Sequence, residues 1–261
     1  MTVVPGIQTA SRFLNWFTVV LALVVVSIQP AAGMGVYRSS RIEGAIIDAN
    51  TQAPIEGVIV TASWIQIGAT GHGEFTLKVS ETETNTLGEY ALPAWGPRFY
   101  ANQLRRDQPV IRFFKPGYVP LIIRNNSAYH PGLENDTEHK IKVPVTLSDG
   151  STGYRLYEPE EHQVKFGKKR HTFRLEPFEG TDAEYVELLT GSTNYVGSLS
   201  RINIGDDCEW KELPRTYLAL HKLRSELEEK QISAIEIPYV GDVGGQDHCG
   251  DAEEYFKGYL E

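Results

Sequence analysis

Residues able to do chemistry are sparse in this chain and widely spaced. A zinc peptidase site needs a His-x-x-Glu pair and a later His, but His72-Gly73-Glu74 has the wrong spacing and no other pair fits. No His-Glu-x-x-His helix, Gly-x-Ser-x-Gly elbow or P-loop is present. His130, His139, His162 and His171 fall among loops and strand ends, where an imidazole is ordinarily solvated, and His221 falls at the edge of a helical apolar stripe. Glu158, Glu160 and Glu161 cluster in one loop and Asp206-Asp207 in another, yet the Asp-x-Asp-x-Asp pattern of a calcium loop is missing. This reading therefore assigns no catalytic residue, no metal and no cofactor. It expects the protein not to be an enzyme.

Two other residue groups carry weaker signals. Cys208 and Cys249 are the only cysteines, 41 positions apart. In an oxidising compartment they read as a disulfide, which by loop entropy contributes about 4 kcal/mol. His248 and Asp206-Asp207 invite a metal instead, but zinc-ligand spacing is absent. Trp95, Phe99 and Tyr100 follow one another closely and could form a stacking platform for a sugar or peptide, or simply cover one end of the fold.

Charge narrows the partners. The formal net charge is −9, and Arg12 is the only charged residue among the first 33. An acidic surface with no basic stripe disfavours nucleic acid. Lys168-Lys169-Arg170 reads as a solvated loop. Asn125-Asn126-Ser127 and Asn135-Asp136-Thr137 fit the N-glycosylation acceptor, which matters only in a eukaryotic secretory route.

The elements that must position these residues are mostly short strands. Arg41–Asp48 ends in an Asp-Ala-Asn-Thr turn. Val58–Ile67 is rich in β-branched residues and puts Val58, Val60, Ala62 and Trp64 on one face. Phe75–Thr84, Tyr90–Pro93, Val110–Phe114 and Tyr118–Arg124 follow, and Lys115-Pro116-Gly117 suits a type II turn. Lys140–Leu147 closes the series, with Pro144 confining it to an edge or a bulge. Seven such strands predict a β-sandwich. Beyond residue 147, strand patterns recur at His162–Phe166 and His171–Leu175, and Thr181-Asp182 can cap a helix over Ala183–Thr190. Leu213, Tyr217, Leu220, Leu223 and Leu227 form a helical stripe within Lys211–Lys230.

Several of these residues resemble a known family. Gly44-Ala45-Ile46-Ile47-Asp48, Thr51 and Ala53–Val60 are similar to the opening hairpin of carboxypeptidase regulatory-like domains. Thr86–Pro93 resembles their T-x-x-G-x-Y-x-L-P segment, and Phe114–Tyr118 their later K-x-G-Y strand pair. The resemblance covers residues 41–124. It implies a mainly β, seven-stranded transthyretin-like (Ig-like) sandwich and a non-catalytic role beside an enzyme, a transporter or an envelope component.

Arg12, the apolar run Phe17–Ile28 and the small residues Ala31-Ala32-Gly33 read as a secretory signal peptide. Twelve residues span roughly 18 Å, short of a bilayer core of about 30 Å. The expected organisation is a signal over residues 1–33, a sandwich over 34–147, and an extension over 148–261 carrying short strands, a C-terminal helix near 211–230 and a disulfide-tied tail. The leading expectation is an exported periplasmic or extracellular module that binds or braces another envelope protein or a glycan. Membrane contact would come only through an uncleaved N-terminal segment. The alternative is an enzyme or enzyme accessory acting on peptides or glycans, with its site between sandwich and extension.

Overall fold

A computed structural model describes residues 35–67, 74–100, 103–104, 108–125, 141–146, 152–157, 163–164, 166–167, 169–190, 195–199, 209–238, 240 and 249–260. The proposed signal lies outside them. The protein is mainly β. Its strands are β1 (Gly35–Ser39), β2 (Ile42–Asp48), β3 (Ile59–Ile67), β4 (Glu74–Glu83), β5 (Glu89–Leu92), β6 (Trp95–Tyr100), β7 (Gln103–Leu104), β8 (Val110–Phe114), β9 (Leu121–Asn125), β10 (Ile141–Thr146), β11 (Thr152–Tyr157), β12 (Gln163–Val164) and β13 (His171–Leu175). The helices are α1 (Asp182–Thr190), α2 (Tyr195–Leu199), α3 (Pro214–Glu229) and α4 (Ala252–Leu260).

Two sheets face each other. The larger runs β12-β9-β8-β3-β4, with β7 added on β3, and the smaller runs β13-β2-β5. Ile42, Ile46 and Phe173 of the smaller sheet pack with Val60, Ile111 and Phe113 of the larger. Residues of β3 are buried on both sides, and the reason is a third layer. Val60, Ala62 and Trp64 face the inter-sheet core. Ile59, with Phe114 and Val79, packs instead against Leu188, Leu220 and Phe256 of the helices. Burial along Ile59–Gln66 is therefore continuous rather than alternating.

Local chemistry fixes the turns. Asp48 Oδ1 accepts the backbone N–H groups of Asn50 (2.9 Å) and Thr51 (2.8 Å), and Tyr118 Oη donates to Oδ2 (3.1 Å). Gly88 has φ of 70°, and a Cβ there would collide with the Ile46 carbonyl. At the start of α1, Thr181 and Glu184 cap one another reciprocally, with Thr181 N–H donating to Glu184 Oε2 (2.7 Å) and Glu184 N–H to Thr181 Oγ1 (3.3 Å).

Two expectations change. The described residues hold thirteen strands, where seven were expected in the sandwich and two in the extension. The strand at 140–147 does not close the sandwich, because β10 pairs with β11 as a separate two-stranded ribbon. Meanwhile β13, from the expected extension, joins β2 in parallel. Backbone pairing of this kind has no sequence spacing that would announce it. The α3 stripe Tyr217, Leu220, Leu223 and Leu227 is buried, but the helix starts at Pro214 because its fixed φ suits the first turn, and Glu209–Glu212 forms a separate 3-10 turn.

Candidate functional site

Register in the smaller sheet brings together residues far apart in the chain. Gly44 of β2 lies opposite Tyr90 of β5 on one side and His171 of β13 on the other. Cross-strand partners share a face, so Tyr90 and His171 both look toward the inter-sheet core across a glycine. The ring of Tyr90 occupies the space a side chain at position 44 would take. A Cβ on Gly44 would lie 2.6 Å from Tyr90 Oη and 2.6 Å from the His171 carbonyl oxygen. Those two oxygens are therefore within about 5 Å of each other, close enough for a single oxygen atom to bridge them at ordinary hydrogen-bond lengths.

Aromatic rings enclose this row. Tyr90 meets Phe113 edge-on at 5.5 Å, Phe113 lies 5.1 Å from Phe173, and His171 stacks on Phe173 at 6.0 Å. Phe166 presents its edge to His171 at 6.2 Å. Inside this apolar setting Tyr90 Oη and His171 Nε2 are both buried and have no hydrogen-bond partner. An unmet buried polar group costs about 1–3 kcal/mol. Burial also pushes the Tyr90 hydroxyl well above its ordinary range, so it remains an O–H donor. A permanent donor that reaches toward the His171 carbonyl, in the core that also buries His171 Nε2, can hold an oxygen atom by hydrogen bonding.

A second polar cluster lies where α3 meets the larger sheet. Glu81 of β4 accepts the N–H groups of Arg215 (2.8 Å) and Thr216 (2.8 Å) at the helix N-terminus, and the Thr216 hydroxyl (2.6 Å). Thr216 Oγ1 also lies 3.2 Å from Thr61 Oγ1, and buried Arg112 donates to Ser63 Oγ at 2.9 Å. Burial raises the Glu81 carboxyl, while the Thr216 and Arg215 hydrogen bonds oppose the rise. Three donors engage this carboxylate. It works as a clamp that docks the helix on the sheet.

The aromatic trio separates. Trp95 packs inward, edge-on to Trp64 at 5.3 Å, Tyr100 is half-buried against the same core, and Phe99 is 66% exposed. They form no common platform. Cys249 is buried and, among the described residues, no cysteine is free. Cys208 lies outside those residues, as do His72, His130, His139, His162, His248, Glu158, Glu160, Glu161, Asp206 and Asp207. His221 is half-buried on α3, where burial, then Arg224 and Lys222, push its imidazole below the ordinary value. Among the described residues no group of three or more His, Cys, Asp or Glu side chains could hold a metal, and no helix is long and apolar enough to cross a membrane.

No protein-family model matches the sequence, and no curated protein does. Solved structures similar to it include a catechol 1,2-dioxygenase mutant from Acinetobacter radioresistens, at 16% identity over 55% of this chain and 53% of that one, with a TM-score of 0.28. Hydroxyquinol 1,2-dioxygenase from Pseudomonas putida DLL-E4 is similar at 13% identity over 55% and 58%, TM-score 0.30. 3-Chlorocatechol 1,2-dioxygenase from Rhodococcus opacus 1CP is similar at 15% identity over 67% and 90%, TM-score 0.26. The first two matches span a little over half the length of those enzymes.

These neighbours correct the expectation of a non-catalytic envelope module and of a chain that is not an enzyme: they are enzymes by name. A likeness this slight brings no reaction and no residue role with it. A motif survey sees only neighbours in sequence. Tyr90 and His171 stand 81 positions apart and meet only through strand register. Gly44, between Ile42 and Ile46 on the same face of its strand, was the available signal.

Proposed function

We propose that the protein acts on a small, largely apolar molecule that presents one oxygen to Tyr90 Oη and His171. Tyr90 donates a hydrogen bond to that oxygen, and His171 Nε2 exchanges a proton with the ligand. The observation that carries this reading is the pair of buried, unpartnered polar atoms facing one core across Gly44. Buried polar groups without a partner are uncommon, and a bound ligand is one explanation of them. The sandwich that carries the site is read as transthyretin-like, of the carboxypeptidase regulatory-like kind, with a C-terminal helical extension. Export through the N-terminal apolar run and a Cys208–Cys249 disulfide belong to the same proposal, supported by the run's composition and by the absence of a free cysteine among the described residues.

A thermal-shift screen of small carbonyl compounds, alcohols and esters against the full chain tests the reading, with hits followed by mass spectrometry for turnover. A ligand at a hundred times its Kd adds about 2.7 kcal/mol to stability, or roughly 5–10 °C in Tm for a chain of this size. That shift is expected to vanish in both Tyr90→Phe and His171→Phe. Shifts that persist in both variants, or a screen without hits, would sink the proposal.

A further inference from the structure

Beyond the Tyr90 site, we infer that the end of the sandwich under the β1–β6 ribbon binds a saccharide, through an acceptor oxygen on a pyranose ring. Register and hydrogen bonds bring the parts together. Gln66 of β3 pairs with Leu104 of β7, and the Leu104 N–H donates to Tyr37 Oη at 3.3 Å. Tyr37 pairs with Arg98, and Ser39 with Trp95, across the ribbon. Arg98 Nη1 reaches the Leu77 carbonyl at 3.3 Å, which fastens the ribbon over β4. Trp95 then stands edge-on to Trp64.

Two donors in this neighbourhood are unused. Gln66 is 2% exposed and its Nε2 has no partner. The buried indole Nε1 of Trp95 has none either. Both nitrogens are donors, and the indole N–H can only donate. An added peptide strand would demand alternating donors and acceptors along an open edge. A pair of donors bordered by the rings of Tyr37, Trp64, Trp95 and Tyr100 instead suits a molecule with an apolar ring face and an acceptor oxygen. A pyranose bearing an acetamido or carboxylate group is that molecule, and the Arg98 guanidinium adds weight to the carboxylate.

The test follows the Trp95 indole N–H resonance of the full chain, nitrogen-15 labelled, during titration with chitotriose, trigalacturonate and maltotriose. The Trp95→Phe spectrum supplies the assignment. A saturable shift with chitotriose or trigalacturonate, and little with maltotriose, is expected, and the better probe identifies which acceptor is used. Trp95→Phe, which replaces the indole by a smaller aromatic ring and loses the donor, and Gln66→Leu should each weaken the binding threefold or more, read on another resonance that responds. Tyr90→Phe should leave it unchanged, so this inference and the Tyr90 proposal can fail separately. If no probe moves the indole resonance, or if Trp95→Phe binds as tightly as the parent, the inference is overturned. Should Gln66→Leu fail to fold, Trp95→Phe decides alone.

Discussion

Replacing Glu81 with alanine is expected to destabilise the protein by about 2 kcal/mol. The side chain supplies three hydrogen bonds of 2.6–2.8 Å to the first turn of α3. Loss of a helix cap alone costs about 1 kcal/mol, and hydrogen bonds to a charged group contribute about 1.5–3 kcal/mol each. Burial opposes these gains, since it raises the carboxyl above its ordinary value. The residue is half-buried rather than enclosed, so solvent screens part of each term. The sum stays well below the additive total. Urea unfolding should show a lower midpoint at unchanged slope, with Tm falling by roughly 4–8 °C. Glu81→Gln keeps one accepting oxygen and should lose about half as much. A raised folded-state value means that the folded protein binds the proton more tightly than the unfolded chain. The pH-dependent part of the Glu81 contribution is then fully present below the unfolded value near 4.5 and is lost as pH rises through the folded value above it, while the hydrogen bonds accepted by the ionised carboxylate remain. The parent should therefore gain on Glu81→Gln as pH falls toward 4.5. A Glu81→Ala loss under about 0.5 kcal/mol would refute the clamp, as would a parent-minus-Gln difference that shrinks on acidification.

Three further outcomes are expected. Tyr90→Phe keeps the ring against Phe113 and removes an unpartnered hydroxyl, so the ligand-free protein should become more stable by about 1–2 kcal/mol in urea unfolding; a comparable loss would mean the hydroxyl already has an acceptor. Gly44→Ala places a methyl 2.6 Å from both Tyr90 Oη and the His171 carbonyl, and should cost about 1–3 kcal/mol, with near-ultraviolet circular dichroism reporting the repacked aromatics. The Asp48 carboxyl is held below its ordinary value of 3.8, first by the Thr51 N–H, with burial opposing and Tyr118 and Asn50 assisting. Its stabilisation is present above pH 3.8 and is lost as pH falls through the lower folded value, a slope that Asp48→Ala should remove from an acid titration of stability.

Local signals read well from the sequence where the physics is local. The Asp48 turn, the β13 strand and the Thr181 cap depend on neighbours within a few residues, and each sits where composition places it. The inward face of β3 follows from alternation, as Val60, Ala62 and Trp64 show. Its outward face could not be read that way. Thr61 and Ser63 look like solvent-facing positions, yet both are fully buried because the helical layer covers them. That cover depends on Glu81 reaching Thr216, 135 positions away, which no periodicity records. The Tyr90–Gly44–His171 row has the same origin. Tyr90 is a core side chain, but its unused hydroxyl becomes visible only once its neighbours are in place.

The two faces of β3 suggest a criterion for separating fold from function when motifs are absent. On the helical face, Thr61, Ser63, Glu81, Arg112 and Thr216 all engage partners, so removing any one leaves another unmet and destabilises the whole. On the inter-sheet side, Tyr90, His171 and Trp95 carry unused capacity. Substituting those groups with apolar isosteres should stabilise the protein or leave it unchanged. The two classes thus predict opposite signs for the same kind of mutation. If Tyr90→Phe raises stability while Thr216→Val lowers it, the unpartnered hydroxyl is held against a stability cost, and ligand contact is the physical reason to hold it.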